Sequence, residues 1–136
     1  MDIEALALDA TARDDGRWFT WIQNQRVRLR SLRYQPYLDR LDELQNAPEV
    51  AGLLAAAPDT KAAADAVTDT VKQAMAEHLF VAWTFTSGGA PLECNGANAL
   101  AILRDPLYAH FYAWATRVLA RTEDWVVAAQ QADAKN

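Results

Sequence analysis

Lys61 to Phe80, KAAADAVTDTVKQAMAEHLF, decides the fold class. Val67, Val71, Met75 and Leu79 recur at steps of four, so a helix stacks them into one apolar stripe. Asp65, Asp69 and Lys72 fall on the opposite face. Asp59 or Thr60 stands just before it and offers the side-chain oxygen that a helix N-terminus needs. The spacing predicts a helix from Lys61 to about Phe80. Such a helix is stabilised mainly by what packs on its stripe, and the flanking sequence supplies further helices. Upstream, Tyr34-Gln35-Pro36-Tyr37 opens one with proline near the first position, where a missing N–H is harmless. Leu38, Leu41 and Leu44 share its face until Asn46-Ala47-Pro48 ends it. Val50, Leu53 and Leu54 predict a short helix within residues 49–57. Downstream, Val81 to Thr86 either continues the long helix or frays into an extended piece before Ser87-Gly88-Gly89 breaks it. Asn95 or Asn98 caps a helix through Leu100, Ile102 and Leu103. Asp105-Pro106 then starts another, with Leu107, Phe111, Trp114 and Val118 on one face. Trp125 and Val126 continue the apolar pattern.

Arg17 to Leu32 has a different period. Trp18, Phe19, Trp21 and Ile22 suit a pleated surface. After Gln23-Asn24-Gln25, the run Arg26-Val27-Arg28-Leu29-Arg30 alternates charged and apolar residues, the mark of a half-buried strand. The pattern predicts a two-stranded β-hairpin with Val27 and Leu29 inward. Two strands alone are marginal in water, so the hairpin must pack on helices or another subunit. The expected fold is mainly α: a small helical bundle of four to six helices with an N-terminal two-stranded β-hairpin. Its 136 residues form a single domain. Residues 1–15 are a mobile arm or a short helix stopped at Gly16, 17–32 the hairpin, 35–126 the bundle and 127–136 a loose tail.

Composition agrees with this reading and excludes several functions. Half the residues are apolar, alanine is abundant, and glycine and proline number only five each, a helix-forming balance. The single cysteine, Cys94, excludes an internal disulfide and any multi-cysteine metal site. The acidic start Met1-Asp2-Ile3-Glu4 does not resemble a secretory leader, and no apolar run reaches the roughly 18 residues of a membrane span. A soluble, cytoplasmic protein is expected.

Catalytic apparatus is hard to find. His78 lies beside the apolar stripe and His110 beside Phe111; neither has metal-binding spacing, and both read as ordinary structural or surface histidines. Cys94 precedes a predicted helix, which can activate a thiol, but a small buried hydrophobe is the simpler reading. Gly88-Gly89 and Gly96 form no phosphate loop, and the carboxylates read as helix ends and solvated faces. The expectation is no enzyme, no catalytic residue, no metal and no cofactor.

The charge pattern points to a partner instead. Net charge is −5, yet Arg13 to Arg40 holds seven arginines against three acids, +4, leaving −9 elsewhere. Arg26, Arg28 and Arg30 share one strand face, Arg17 and Arg33 extend it, and Trp18 and Trp21 can stack on the guanidinium groups. That face is solvated, meets an acidic protein surface, or binds nucleic acid; an acidic chain makes the last the weakest. The odd spacing of Trp18 and Trp21 sends one of them away from the core. The candidate partner-binding residues are therefore Trp18, Trp21, Arg26, Arg28, Arg30 and Arg33.

The order of motifs is suggestive as a whole. Gly16-x-Trp18 opens the hairpin, Val27 to Leu32 closes it, and Gln35-Pro36-Tyr37 starts a helix. After an Ala-rich middle come Trp83, Gly88-Gly89, Pro91-Leu92-Glu93, Asn95, Asn98, Ile102-Leu103-x-Asp105-Pro106 and finally Glu123-Asp124-Trp125. Over about residues 16–125 this resembles the tail assembly chaperones of long-tailed phages and prophages. The resemblance implies a non-catalytic protein that binds the tape measure protein and keeps it soluble during tail assembly. It further implies possible contact with the tail tube protein, a homo-oligomer, and in many relatives a frameshifted longer form. The alternatives are a minor structural or connector protein of the particle, or a small nucleic-acid-binding regulator using the arginine-rich hairpin.

Overall fold

A computed structural model of the chain describes residues 2–134. The protein is mainly helical. Seven α-helices are present among the described residues, α1 (Ala10–Asp15), α2 (Gln35–Gln45), α3 (Pro48–Ala56), α4 (Lys61–His78), α5 (Gly96–Arg104), α6 (Ala109–Ala120) and α7 (Val127–Ala134). The strands are β1 (Arg17–Thr20), β2 (Arg26–Leu29), β3 (Phe80–Trp83) and a small separate hairpin, β4 (Thr86–Ser87) with β5 (Ala90–Pro91).

The expected four to six helices and two-stranded hairpin are corrected on both counts. β1 and β2 pair antiparallel in the predicted region, but β3 adds on the far side of β2, giving a three-stranded sheet in the order β1-β2-β3. The long helix therefore stops at His78 and not at Phe80. Phe80, Val81 and Trp83 favour a pleated strand, and a third strand supplies the support that a lone hairpin lacks. The register slips between Arg28 and Leu29, where Val81 is the extra residue of a bulge.

Helix α4 packs against α2, α3 and α5. Its buried residues are Ala63, Thr70, Ala74, Met75 and Ala76; of the predicted stripe, Met75 and the following Leu79 are buried, whereas Val67 and Val71 are only half-buried. Alanines let neighbouring backbones come close, and α4 is covered from several sides instead of along one stripe. Thr60 is its cap, accepting from the Ala63 N–H. Asn95 caps α5 in the same way, accepting from Asn98 N–H at 2.8 Å. At the rim, Arg104 grips Asp69 with two bonds of 2.9 Å, and Arg40 reaches Glu77 at 2.7 Å. The hydrogen bond from Arg104 holds the Asp69 carboxyl below its ordinary range. These pairs sit at the solvent-facing rim, where water screens most of their attraction.

Gly16 joins α1 to β1 with φ +92°. A Cβ there would stand 3.0 Å from Arg28 Cγ and 3.1 Å from both the Leu29 carbonyl and Val81 Cγ2. Both the backbone conformation and the close approach require glycine.

The chain ends meet. Asp9 caps α1 and donates its own N–H to the Trp125 carbonyl at 2.9 Å; Val127 N–H donates to Ala7 at 2.9 Å; Leu8 and Val126 form a β-bridge. The segment expected as an arm or short helix contains a 3₁₀ turn (Ile3–Leu6) and α1, stopped at Gly16. The segment 127–136 expected as a loose tail is helical from Val127 to Ala134, and its last two residues lie outside the described ones. Leu107 also departs from its predicted core stripe. It sits in a 3₁₀ turn (Pro106–Tyr108) before α6, out of phase with Phe111 and Val118, and is 80% exposed.

Candidate functional site

Only part of the predicted arginine–tryptophan face assembles. Val27 and Leu29 are fully buried, so Arg26 and Arg28 project from the opposite side of β2. Trp18 lies opposite Arg28 on β1 and is 37% exposed. The Arg26 guanidinium sits 4.8 Å over the Trp18 ring. Arg28 is half-buried, its stem against Gly16, and its Nε is buried with no hydrogen-bond partner. Trp18, Arg26 and Arg28 thus form one cluster on the outer sheet face.

The other three candidates go elsewhere. Trp21 turns inward, with its ring 5.0 Å from Phe111, 5.4 Å from His110, 5.8 Å from Trp114 and 6.1 Å from Phe85. Arg30 is withdrawn into the structure: it donates to the Asp14 carbonyl at 2.7 Å and the His78 carbonyl at 2.9 Å, and lies 4.5 Å over Tyr34. Arg33 is exposed near the start of α2. Arg17 binds the Asp133 carboxylate and the Asp124 carbonyl. A stripe of five free cations, as phosphate binding would use, is therefore not what the arginines form.

The sequence pattern did not single out an apolar groove that the structure contains. A groove of about 480 Å³ runs between the N-terminal segment, the β2–α2 loop, α2 and the end of α6. Leu6, Leu8, Leu32, Leu38 and Leu41 wall it, and Trp125, almost fully buried, forms its floor. Leu6, Leu8 and Leu38 remain 52%, 39% and 37% exposed. Arg33 stands at its rim. Their spacing in sequence is helical or irregular, and only the closure of the N-terminal segment onto Trp125 gathers them. A second opening of about 400 Å³ lies over Trp21, Phe85, Ile102 and Phe111, bordered by Ile22 and Tyr108.

Among the described residues no three His, Cys, Asp or Glu side chains converge as a metal site would need. No helix among them is long and apolar enough to cross a membrane. Burial pushes the Cys94 thiol up to about 11 despite the nearby start of α5. Alkylation of Cys94 by iodoacetamide at pH 8 is expected to run at least about tenfold slower in the folded protein than in urea, since only the thiolate reacts; equal rates would refute the raised thiol pKa. Comparison with family models, curated proteins and solved structures finds no match.

Proposed function

We propose that the protein is a non-catalytic tail assembly chaperone of a long-tailed phage or prophage, holding the tape measure protein soluble in the host cytoplasm until tube subunits polymerise around it. The observation that carries this is the open leucine groove over Trp125. Exposed leucines on an otherwise acidic, charged surface are unfavourable in water, and a guest helix with apolar residues at i, i+3, i+4 and i+7 fits such a trough. Each Å² of apolar surface covered contributes about 25 cal/mol. Covering the guest's apolar face lowers the free concentration of its aggregating form by mass action. Arg33 at the rim suits a carboxylate on the guest.

Co-expression tests the proposal. A tape measure fragment that is insoluble alone is expected to become soluble and to co-purify with this protein. Leu38→Asp places a charge in the groove wall and is expected to weaken retention at least tenfold with an unchanged melting curve. A fragment left insoluble and unbound by the wild type, or held equally well by Leu38→Asp, would overturn it.

A further inference from the structure

We infer that the open edge of β1 takes up an extended, acidic segment of a partner protein as a fourth strand, with its carboxylates on Arg26. This surface is separate from the leucine groove and does not rest on the chaperone proposal.

Three observations carry it. First, the edge is available. β1 pairs only with β2 among the described residues. Trp21 N–H donates to Gln25 at 2.7 Å, and antiparallel alternation from that pair turns Phe19 and Arg17 toward β2. The backbone N–H and C=O groups of Trp18 and Thr20 therefore point to the open side, and both residues are exposed. Such a row is a template for strand addition.

Second, the charge beside the edge is positive. Arg26 faces Thr20 in the register but reaches diagonally to Trp18, so its guanidinium stacks on a side chain of β1. Arg28 stands next to it with its Nε buried and unpaired. Neither arginine has a carboxylate partner among the described residues, whereas Arg13, Arg17, Arg40, Arg104 and Arg121 all do. A strand laid along β1 with Asp or Glu at alternate positions presents those carboxylates on the same sheet face as Arg26.

Third, the charge argues against a second copy. Two β1 edges paired antiparallel are related by a two-fold axis normal to the sheet. That puts both arginine faces on the same side and brings like charges together, which is destabilising.

NMR titration of the full ¹⁵N-labelled chain tests this. The probe is an acetylated eight-residue peptide alternating Glu and Thr; the controls are its Gln–Thr counterpart and an eight-nucleotide oligo-dT. The acidic peptide is expected to shift the Trp18 and Thr20 amides and to bind at least tenfold more tightly than either control. Arg26→Glu is expected to weaken it at least tenfold, and so is Thr20→Pro, which removes an outward N–H and leaves the pairing with β2 intact. Leu38→Asp is expected to leave it unchanged. The inference fails if the peptide does not bind, if shifts fall elsewhere, if Thr20→Pro binds normally, or if the Gln peptide or oligo-dT binds as well. A concentration-dependent dimer abolished by Thr20→Pro would assign the edge to a second copy and overturn it too.

Discussion

Phe111→Ala is expected to destabilise the protein by about 3–5 kcal/mol, the range for a fully buried aromatic residue cut to a methyl. Phe111 on α6 is 1% exposed and stands at the centre of an aromatic cluster. Its ring lies 5.0 Å from Trp21, 5.5 Å from Phe85, 5.7 Å from Phe80 and 5.9 Å from Trp114. These rings come from the β1–β2 connection, the segment after β3, β3 itself and α6. Removing the central ring therefore loosens the sheet from the helices instead of leaving a hole within one element. Domains of this size unfold with a total of about 5–15 kcal/mol, so the variant should be marginal. Its melting temperature should fall by roughly 10–20 °C, scaling from a few degrees per kcal/mol. Tryptophan fluorescence and near-ultraviolet circular dichroism should change with it, because two of the lost contacts are to tryptophans. Phe111→Leu keeps most of the volume and should lose less than half as much. A loss below about 1 kcal/mol for the alanine variant would mean that the cluster does not tie sheet to bundle.

That cluster also shows what could be read from the chain and what could not. The helical character of Lys61–His78, the caps at Thr60 and Asn95, and the strand at Arg26–Leu29 depend on local spacing, and local spacing is visible in a sequence. The pairing of β3 with β2 is not local. Phe80 to Trp83 is equally compatible with a helix end or a strand, and only β2, some fifty residues earlier, decides between them by offering an unpaired edge. Residues 127–134 hold only weak apolar periodicity; their helix packs on the turn Ile3–Leu6, at the other end of the chain. The leucine groove is hidden for the same reason, since Leu6 and Leu8 meet Leu38 and Leu41 only after the ends have closed. For the surface cluster, strand alternation correctly placed Arg26 and Arg28 on one face. It could not show that Arg30, one step past the strand, leaves that face.

Arg30→Met is the test of that difference. It is expected to cost about 3 kcal/mol, on the basis of two charge-assisted hydrogen bonds at 1.5–3 kcal/mol each, reduced by partial exposure to water. The reason is specific to where the guanidinium sits. Its two acceptors are the carbonyl of Asp14, in the last turn of α1, and the carbonyl of His78, the last residue of α4. Both belong to the final turns of helices, whose carbonyls have no intrahelical donor and carry the negative end of the helix dipole. One cation thus closes two helix C-termini, while its own backbone N–H bonds Leu79 at 2.8 Å and its face covers Tyr34. Methionine keeps the length and apolar stem but leaves both carbonyls without their donor. Lysine keeps the charge but is a point donor without the planar fork that reaches two acceptors at once, so Arg30→Lys should recover only part of the loss. Arg26→Ala, by contrast, removes only an exposed stacking contact and should change stability by about 0.5 kcal/mol. Chemical denaturation of the three variants separates the two roles. Equal, small losses at positions 30 and 26 would return Arg30 to the surface cluster. A large loss at position 30 alone makes it the residue that locks the first and fourth helices onto the sheet, and leaves partner contact to Trp18, Arg26 and Arg28.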